Sequence, residues 1–215
     1  MKILLVNPNE NKDMTERMLE TAGKIPYVSA KIEGVNADSG IPVVKTPEDI
    51  IQASDAVYGT ILENEEAYDA FVIACFSDPG LKKIRKECRK PVLGMGETCM
   101  LYAAMRGVKF AVVTGEKKMR GAMEDQIRKY GLQERCSGVI SVDAGYIDTF
   151  LNKEEIYPLY LKAVKEFQKE HEIDVLCVGG AVFTDWKEKL EEDVDVPVME
   201  GIEMAVKAAW DLISG

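Results

Sequence analysis

The sequence contains a single histidine, His171, which lies in the polar run KEHEID. This scarcity excludes a metal site built on several histidines and leaves His171 as the only base for a histidine-dependent triad. Basic residues are also in the minority, because 27 Lys and Arg stand against 37 Asp and Glu, for a net charge of −10. Proteins that bind nucleic acid or an anionic membrane need a basic surface, so we expect neither partner.

Long apolar runs, paired cysteines and phosphate-binding loops are missing as well. The apolar run in the opening MKILLVNPN is too short for a signal peptide, and no stretch approaches the ~18 residues of a membrane span. The five cysteines form no CxxC pair, which predicts a reducing, cytoplasmic setting. Neither G-x-G-x-x-G nor G-K-[ST] follows a predicted strand. We therefore expect a protein that works without metal, nucleotide or other cofactor.

The chain does contain apolar runs of the length of buried strands. Apolar residues make up 47% of its 215 residues, enough for a sizeable core. Four uninterrupted runs predict strands that are buried on both faces of a parallel sheet: KILLV at 2–6, AFVIA at 70–74, KFAVV at 109–113 and DVLCV at 174–178. Helical patterns lie between them, so the chain is predicted to be α/β, with ligands at the carboxyl ends of the strands.

An internal repeat divides the chain into halves. Three pairs of blocks recur in the same order: KILLVN at 2–7 with KFAVVT at 109–114, DAFVIAC at 69–75 with DVLCVGG at 174–180, and PVL at 91–93 with PVM at 197–199. Their offsets are 107, 105 and 106 residues. The repeat predicts two similar α/β lobes, residues 1–100 and 101–200, with the last helix, about 201–215, on the first lobe.

The same repeat predicts a cleft between the lobes in which strand ends face each other. Asn7 then stands opposite Thr114, and Cys75 opposite Gly180. Thr114 ends a predicted strand, where its hydroxyl could bind an anion or cap the next helix. Gly180 and Ala181 belong to a turn of small residues that a ligand can approach closely.

Cys75 is the leading catalytic candidate. It follows AFVIA and precedes Ser77-Asp78-Pro79, where Ser77 or Asp78 is predicted to cap a helix. A helix N-terminus favours the thiolate and lowers the pKa of a thiol below its usual value of about 8.5. The main-chain amides of Phe76 and Ser77 could then hold a carboxylate or enolate oxygen. A buried structural cysteine is the alternative that position alone leaves open.

Asn7 and Asn9 follow the first predicted strand in the sequence Asn-Pro-Asn. Their side-chain amides could donate to a bound carbonyl or carboxylate. Asn and Pro are equally typical of a simple turn, which is the alternative interpretation.

Five blocks together resemble the Asp/Glu/hydantoin racemase superfamily, nearest its hydantoin and allantoin racemase branch. They are NPNxNxxMT at 7–15, DAFVIACFSDPG at 69–80, KPVLGMGE at 90–97, KFAVVT at 109–114 and VPVMEGIEMAV at 196–206. The resemblance implies a cofactor-independent enzyme with two pseudo-symmetric Rossmann-like lobes and mainly parallel sheets. It also implies two cysteines that face each other. One thiolate removes the proton α to a carbonyl and the other thiol reprotonates the opposite face. Cys75 matches the first cysteine.

The second cysteine of the family aligns with Gly180, which has no side chain. Cys99, at a predicted helix start, or a bound water could replace it. The leading hypothesis is a racemase or epimerase that acts on a hydantoin-like ring or an amino-acid derivative. A single-cysteine lyase of the arylmalonate decarboxylase type and a non-catalytic binder of small acids are the alternatives. The expected partner is a small carboxylate or hydantoin-like molecule, and the oligomeric state is left open, with a homo-oligomer among the alternatives.

Overall fold

The computed structural model of the protein describes residues 1–145, 150–179, 181–183 and 186–215. The chain divides into two compact units. The first is Met1–Thr98 with Ile202–Gly215, and the second is Cys99–Gly201. Each unit contains a four-stranded sheet in which every recorded strand pairing is parallel.

The first unit has the strand order β2-β1-β3-β4. Its strands are β1 (Lys2–Asn7), β2 (Lys31–Asn36), β3 (Ala70–Ile73) and β4 (Val92–Gly94). Its helices are α1 (Lys12–Gly23), α2 (Pro47–Glu63) and α3 (Leu81–Glu87), together with the start of α4 (Met95–Arg106) and nearly all of the C-terminal helix, Gly201–Ser214.

The second unit has the strand order β6-β5-β7-β8. Its strands are β5 (Phe110–Thr114), β6 (Cys136–Ser141), β7 (Val175–Val178) and β8 (Val198–Glu200). It contains the rest of α4 and the helices α5 (Arg120–Lys129), α6 (Lys153–Glu170) and α7 (Lys187–Asp193). The C-terminal helix that follows β8 and belongs almost wholly to the first unit is α8. Short 3₁₀ turns lie at Lys117–Met119 and Ala181–Phe183.

The two sheets have the same strand order, which confirms the predicted α/β fold with two similar lobes. The registers also correspond, because Val6 pairs with Ile73 in the first sheet and Val113 with Val178 in the second. The central strands β1, β3, β5 and β7 are buried along their lengths apart from Lys2. Continuous apolar runs therefore correctly predicted strands that are covered on both faces.

Strand β2, KIEGVN, lies outside the four predicted apolar runs, because it is at a sheet edge and is exposed or only half-buried. Helix α2 ends only at Glu63, and Val57 and Ile61 in its C-terminal half are fully buried. Packing of these residues against the core stabilises the helix beyond what local propensity provides.

The repeated aspartates hold the start of each central strand. The Asp69 carboxylate accepts a hydrogen bond from the main-chain amide of Lys2 at 2.8 Å. Its counterpart Asp174 accepts from the amides of Val108 and Lys109 at 2.7 and 2.8 Å. The aspartates that begin DAFVIAC and DVLCVGG are thus part of the scaffold.

We predict that Asp174→Ala lowers the free energy of unfolding by about 1–2 kcal/mol, because two main-chain donors lose a charged acceptor. Asp69→Ala should cost less, since one donor is affected. The measurement is urea unfolding followed by circular dichroism. Asp211→Ala, at an exposed position of α8, is the matched control and should not lower the midpoint. An Asp174→Ala midpoint equal to that of the control would contradict the prediction.

Candidate functional site

Asn7 uses its side chain to hold the loop between β1 and α1. Its Nδ2 donates to Thr15 Oγ1 at 2.9 Å and to the Asn11 carbonyl at 3.2 Å. Its Oδ1 accepts from the Asn9 main-chain amide at 3.2 Å. The residue is buried at the end of β1. This geometry favours the structural alternative for Asn7, and its predicted contact with a substrate stays a prediction.

Asn9 differs from Asn7 because part of its side chain is unused. Its Oδ1 accepts from the Asn11 amide at 2.9 Å, and its carbonyl accepts from Asn36 Nδ2 at 2.7 Å. Its Nδ2 donates no hydrogen bond within the described part of the chain, although the residue is only 7% exposed. Because this amide group still has a donor to offer, Asn9 is better placed than Asn7 to bind a ligand carbonyl.

Cys75 follows β3 and is half-buried. It packs against a small apolar cluster formed by Ile41, Val44 and Ala53. Its Sγ lies 3.2 Å from Ser77 Oγ, within hydrogen-bond distance. The thiol therefore has an apolar wall on one side and a hydrogen-bonding hydroxyl on the other.

Burial raises the pKa of the Cys75 thiol above its usual value. The hydrogen bonds from Ser77 lower the pKa but do not offset the burial, and the nearby Asp78 carboxylate raises the pKa further. The expectation of a lowered pKa is wrong for this structure, because a desolvated thiolate is penalised more than Ser77 stabilises it. The thiol is accordingly protonated at neutral pH.

The predicted helix cap at Ser77 or Asp78 is also wrong. Helix α3 begins at Leu81, and its N-cap residue is Gly80 in the left-handed conformation, with no side-chain cap. The Asp78 carboxylate instead accepts hydrogen bonds from main-chain amides at the start of α4. The helix N-terminus therefore begins farther from Cys75 than predicted.

The other cysteines are poorly suited to proton transfer with a ligand. Cys99 is fully buried, and its Sγ donates to the Met199 carbonyl at 3.4 Å, which argues against a role as the second acid. Cys177 is a core residue of β7. Cys88 is buried in the core of the first unit. Burial raises the pKa of Cys136, at the start of β6, to about 11.

The remaining predicted site residues lie at strand ends. Phe76 is buried directly after Cys75. Thr114 is the buried last residue of β5, in register with Ser141. Ala181 begins the 3₁₀ turn that follows β7, and Gly180 lies outside the described residues. Their roles toward a ligand stay predictions.

Neither a metal site nor a membrane-spanning helix is found among the described residues. Among residues 1–145, 150–179, 181–183 and 186–215, no group of three His, Cys, Asp or Glu side chains is arranged to hold a metal ion. No helix in the part of the chain that the structure describes has the length and apolarity to cross a membrane. His171 is exposed and stacks on the ring of Phe167 with centroids 4.0 Å apart.

Known proteins resemble the chain over its whole length. A sequence model of the Asp/Glu/hydantoin racemase family matches residues 3–209. The hydantoin racemase of Pseudomonas sp. (strain NS671) is 29% identical over 99% of this chain and 86% of its own length. The allantoin racemase structure from Klebsiella pneumoniae has a TM-score of 0.94 at 25% identity and covers 100% of this chain and 88% of its own. The allantoin racemase from Pseudomonas fluorescens, with a TM-score of 0.88 at 23% identity over 100% of this chain and 91% of its own, supports the fold.

We predict that alkylation of Cys75 follows an apparent pKa above the ~8.5 of a free cysteine. Ser77→Ala should raise this pKa further, because it removes a hydrogen bond that favours the thiolate. The measurement is the pH dependence of iodoacetamide labelling at Cys75, resolved by peptide mass spectrometry. The midpoint of the pH profile reports the pKa of the thiol, whereas the absolute labelling rate also depends on how accessible the sulfur is. An apparent pKa below that of free cysteine would contradict the prediction.

Proposed function

The chain belongs to the Asp/Glu/hydantoin racemase family and is a racemase, and from that premise we propose that Cys75 transfers the proton. The observation that carries the proposal is the position of this thiol. Cys75 lies at the carboxyl end of a central strand, is partly accessible and is hydrogen-bonded by Ser77. Ligands of open α/β sheets bind at this edge.

We propose that the substrate is a hydantoin-like ring or a related amino-acid derivative. The names of the hydantoin and allantoin racemases support this class. In such rings the stereogenic carbon is next to a carbonyl, so removal of its proton gives an enolate that the carbonyl itself stabilises. The proposed chemistry therefore uses no cofactor, and it needs a base on one face and an acid on the other.

Ser77 is proposed to act on the sulfur. Its hydroxyl hydrogen-bonds the Cys75 thiol, and its side chain and main chain both lower the pKa of this thiol, so their interaction strengthens when the sulfur becomes negative. The raised pKa of Cys75 makes its thiolate scarce at neutral pH but a stronger base once it is formed. The thiol form can equally return a proton to an enolate.

Asn9 and the Phe76 amide are proposed to hold the carbonyl or carboxylate oxygen of the substrate. The unused Nδ2 donor of Asn9 supports this role, and Asn7 fixes Asn9 by accepting its main-chain hydrogen bond. Donors held in place before the reaction stabilise developing charge without reorganisation. Thr114, Gly180 and Ala181 of the second unit stay predicted ligands of the same substrate.

The acid on the second face is proposed to be a solvent molecule. Gly180 has no side chain where the family has its second cysteine, and Cys99 is too deeply buried to serve. A single-cysteine lyase also needs a thiol on one face only. Racemisation and decarboxylation must therefore be distinguished by their products. A racemase exchanges the α-hydrogen of substrate with solvent deuterium, whereas a decarboxylase releases carbon dioxide.

We predict that Cys75→Ser lowers kcat by about 10²–10⁴-fold while the protein remains folded, because the proton-transferring group is lost. Loss of optical rotation from one enantiomer of a substituted hydantoin measures racemisation. Hydrogen–deuterium exchange by NMR measures proton abstraction independently. Cys136→Ser, which changes a thiol at the start of β6, is the matched control and should retain activity. Unchanged activity in Cys75→Ser would overturn the proposed mechanism.

We predict that Gly180→Cys increases the rate of racemisation, because it restores a thiol where the family has one. Gly180→Ser adds a side chain of similar size without a readily ionised thiol and is the matched control. The comparison is made on both enantiomers by polarimetry. Equal rates in Gly180→Cys and Gly180→Ser would show that a second thiol is not what limits the reaction.

A further inference from the structure

Asp78, three residues after Cys75, has an unusual backbone conformation. Its φ is +48°, and within the described ranges it is the one residue other than glycine with a positive φ. Residues other than glycine rarely adopt this left-handed backbone conformation, because it brings their Cβ close to the following carbonyl oxygen. The conformation persists only where surrounding contacts determine it, so the contacts of Asp78 indicate its purpose.

The carboxylate of Asp78 connects the Cys75 loop to α4. Its Oδ1 accepts from the Gly96 amide at 2.9 Å and its Oδ2 from the Glu97 amide at 2.7 Å. The residue is buried, so these bonds are protected from competing water. Main-chain amides at a helix start have no partner within the helix, and a carboxylate satisfies them while opposing the helix dipole.

Gly94 at the end of β4 provides the space for this carboxylate. A Cβ at Gly94 would lie 2.5 Å from Asp78 Cγ and 2.6 Å from Oδ1. Any side chain at this position would therefore displace the carboxylate. Gly94 pairs with Ile73 of β3, two residues before Cys75. The carboxylate is consequently held at the ends of the two strands that flank the loop.

The loop itself is closed by main-chain hydrogen bonds to Asp78. The Asp78 amide donates to the Cys75 carbonyl at 3.0 Å, and the Leu81 amide donates to the Asp78 carbonyl at 3.3 Å. Movement of Asp78 is thereby transmitted directly to the residue that carries the thiol and to the start of α3.

We propose that Asp78 is a positioning residue for the racemase reaction: seated in the space left by Gly94 and bonded to the start of α4, it holds the Cys75 loop in its reactive geometry. The proposal rests on the proposed function of Cys75. Asp78 acts through the loop and not on the substrate, because the residue is buried and each of its carboxylate oxygens is directed to a main-chain amide of α4.

The charge of Asp78 argues against an activating role. A carboxylate near a thiol disfavours the thiolate, and Asp78 raises the pKa of Cys75. Among the described residues, Asp78 is the one charged group that affects the pKa of Cys75. The side chains of Ile41, Val44 and Ala53, which pack against the cysteine, carry no charge. Asp78 therefore does not serve to ionise Cys75. Its strained backbone conformation is explained by the position in which it holds the loop.

The test is a double-mutant cycle of Asp78→Ala and Gly94→Ala. Each single variant should lower kcat on the order of 10²-fold, the effect of a small misplacement of a reacting group. The double variant should be little worse than Asp78→Ala, because the added methyl group then meets no carboxylate and its other close contact, Leu81 Cδ2 at 2.7 Å, is the end of a flexible side chain. Non-additivity of this kind is the signature of two residues that act through one contact.

Labelling of Cys75 supplies a readout that does not depend on turnover. In Asp78→Ala the apparent pKa of Cys75 should fall, because a negative charge is removed, while kcat also falls. Ile61→Ala, a cavity variant in the core of the same unit, is the control for lost stability. It should lower the melting temperature without changing the labelling profile or kcat appreciably.

An Asp78→Ala variant that melts earlier but keeps wild-type kcat and labelling would overturn the inference and leave Asp78 as a helix cap only. Should Asp78→Ala not fold, the same comparison applies to Gly94→Ala and to Asp78→Asn, which retains one acceptor oxygen. Activity in Cys75→Ser would instead refute the proposed function. Labelling would then still decide whether Asp78 holds the loop.

Discussion

Burial of the central strands on both faces is the constraint on which the rest of the structure depends. Strands β1 and β3 of the first unit, and β5 and β7 of the second, are apolar along nearly their whole length and have no solvated face. Parallel strands of this kind require crossover connections, which place the following loops at one edge of the sheet. Polar and reactive side chains that could meet a ligand are then confined to strand ends and the loops that follow them, as Asn9 and Cys75 are.

Most polar residues in these loops serve the scaffold. Main-chain groups in the loops and helix starts that follow a buried strand must find partners, and the side chains of Asn7, Asn11 and Asp78 supply them. Most polar residues of the two motifs at 7–15 and 69–80, which resemble those of racemases, therefore stabilise the loops after β1 and β3. The Asn9 amide and the Cys75 thiol are the groups that this construction leaves for chemistry.

The environment of Cys75 suits a group that both gives and takes a proton. An apolar wall disfavours the thiolate, while Ser77 offers hydrogen bonds that gain strength as charge develops on the sulfur. The Cys75 thiol, whose pKa is raised by burial, is protonated in the free protein and can act as an acid, and its thiolate is a strong base once it forms. Gly180 makes the second half of the repeat chemically different from the first, although the two sheets have the same strand order.

The sequence by itself determined the two α/β units, their parallel sheets and the place of Cys75 at a strand end, because apolar runs and a repeat are visible in the order of the residues alone. It missed the edge strand β2, and it misplaced the helix that follows Asp78. Only the tertiary structure decided that the side-chain amide of Asn7 is engaged while that of Asn9 donates no hydrogen bond among the described residues, that Cys99 is buried, and that the Cys75 thiol has a raised pKa. The last two depend on partners distant in the chain, because Cys99 bonds the Met199 carbonyl, 100 residues away, and Cys75 packs on Ile41. Spacing along a sequence carries no record of which distant groups fill the space around a side chain.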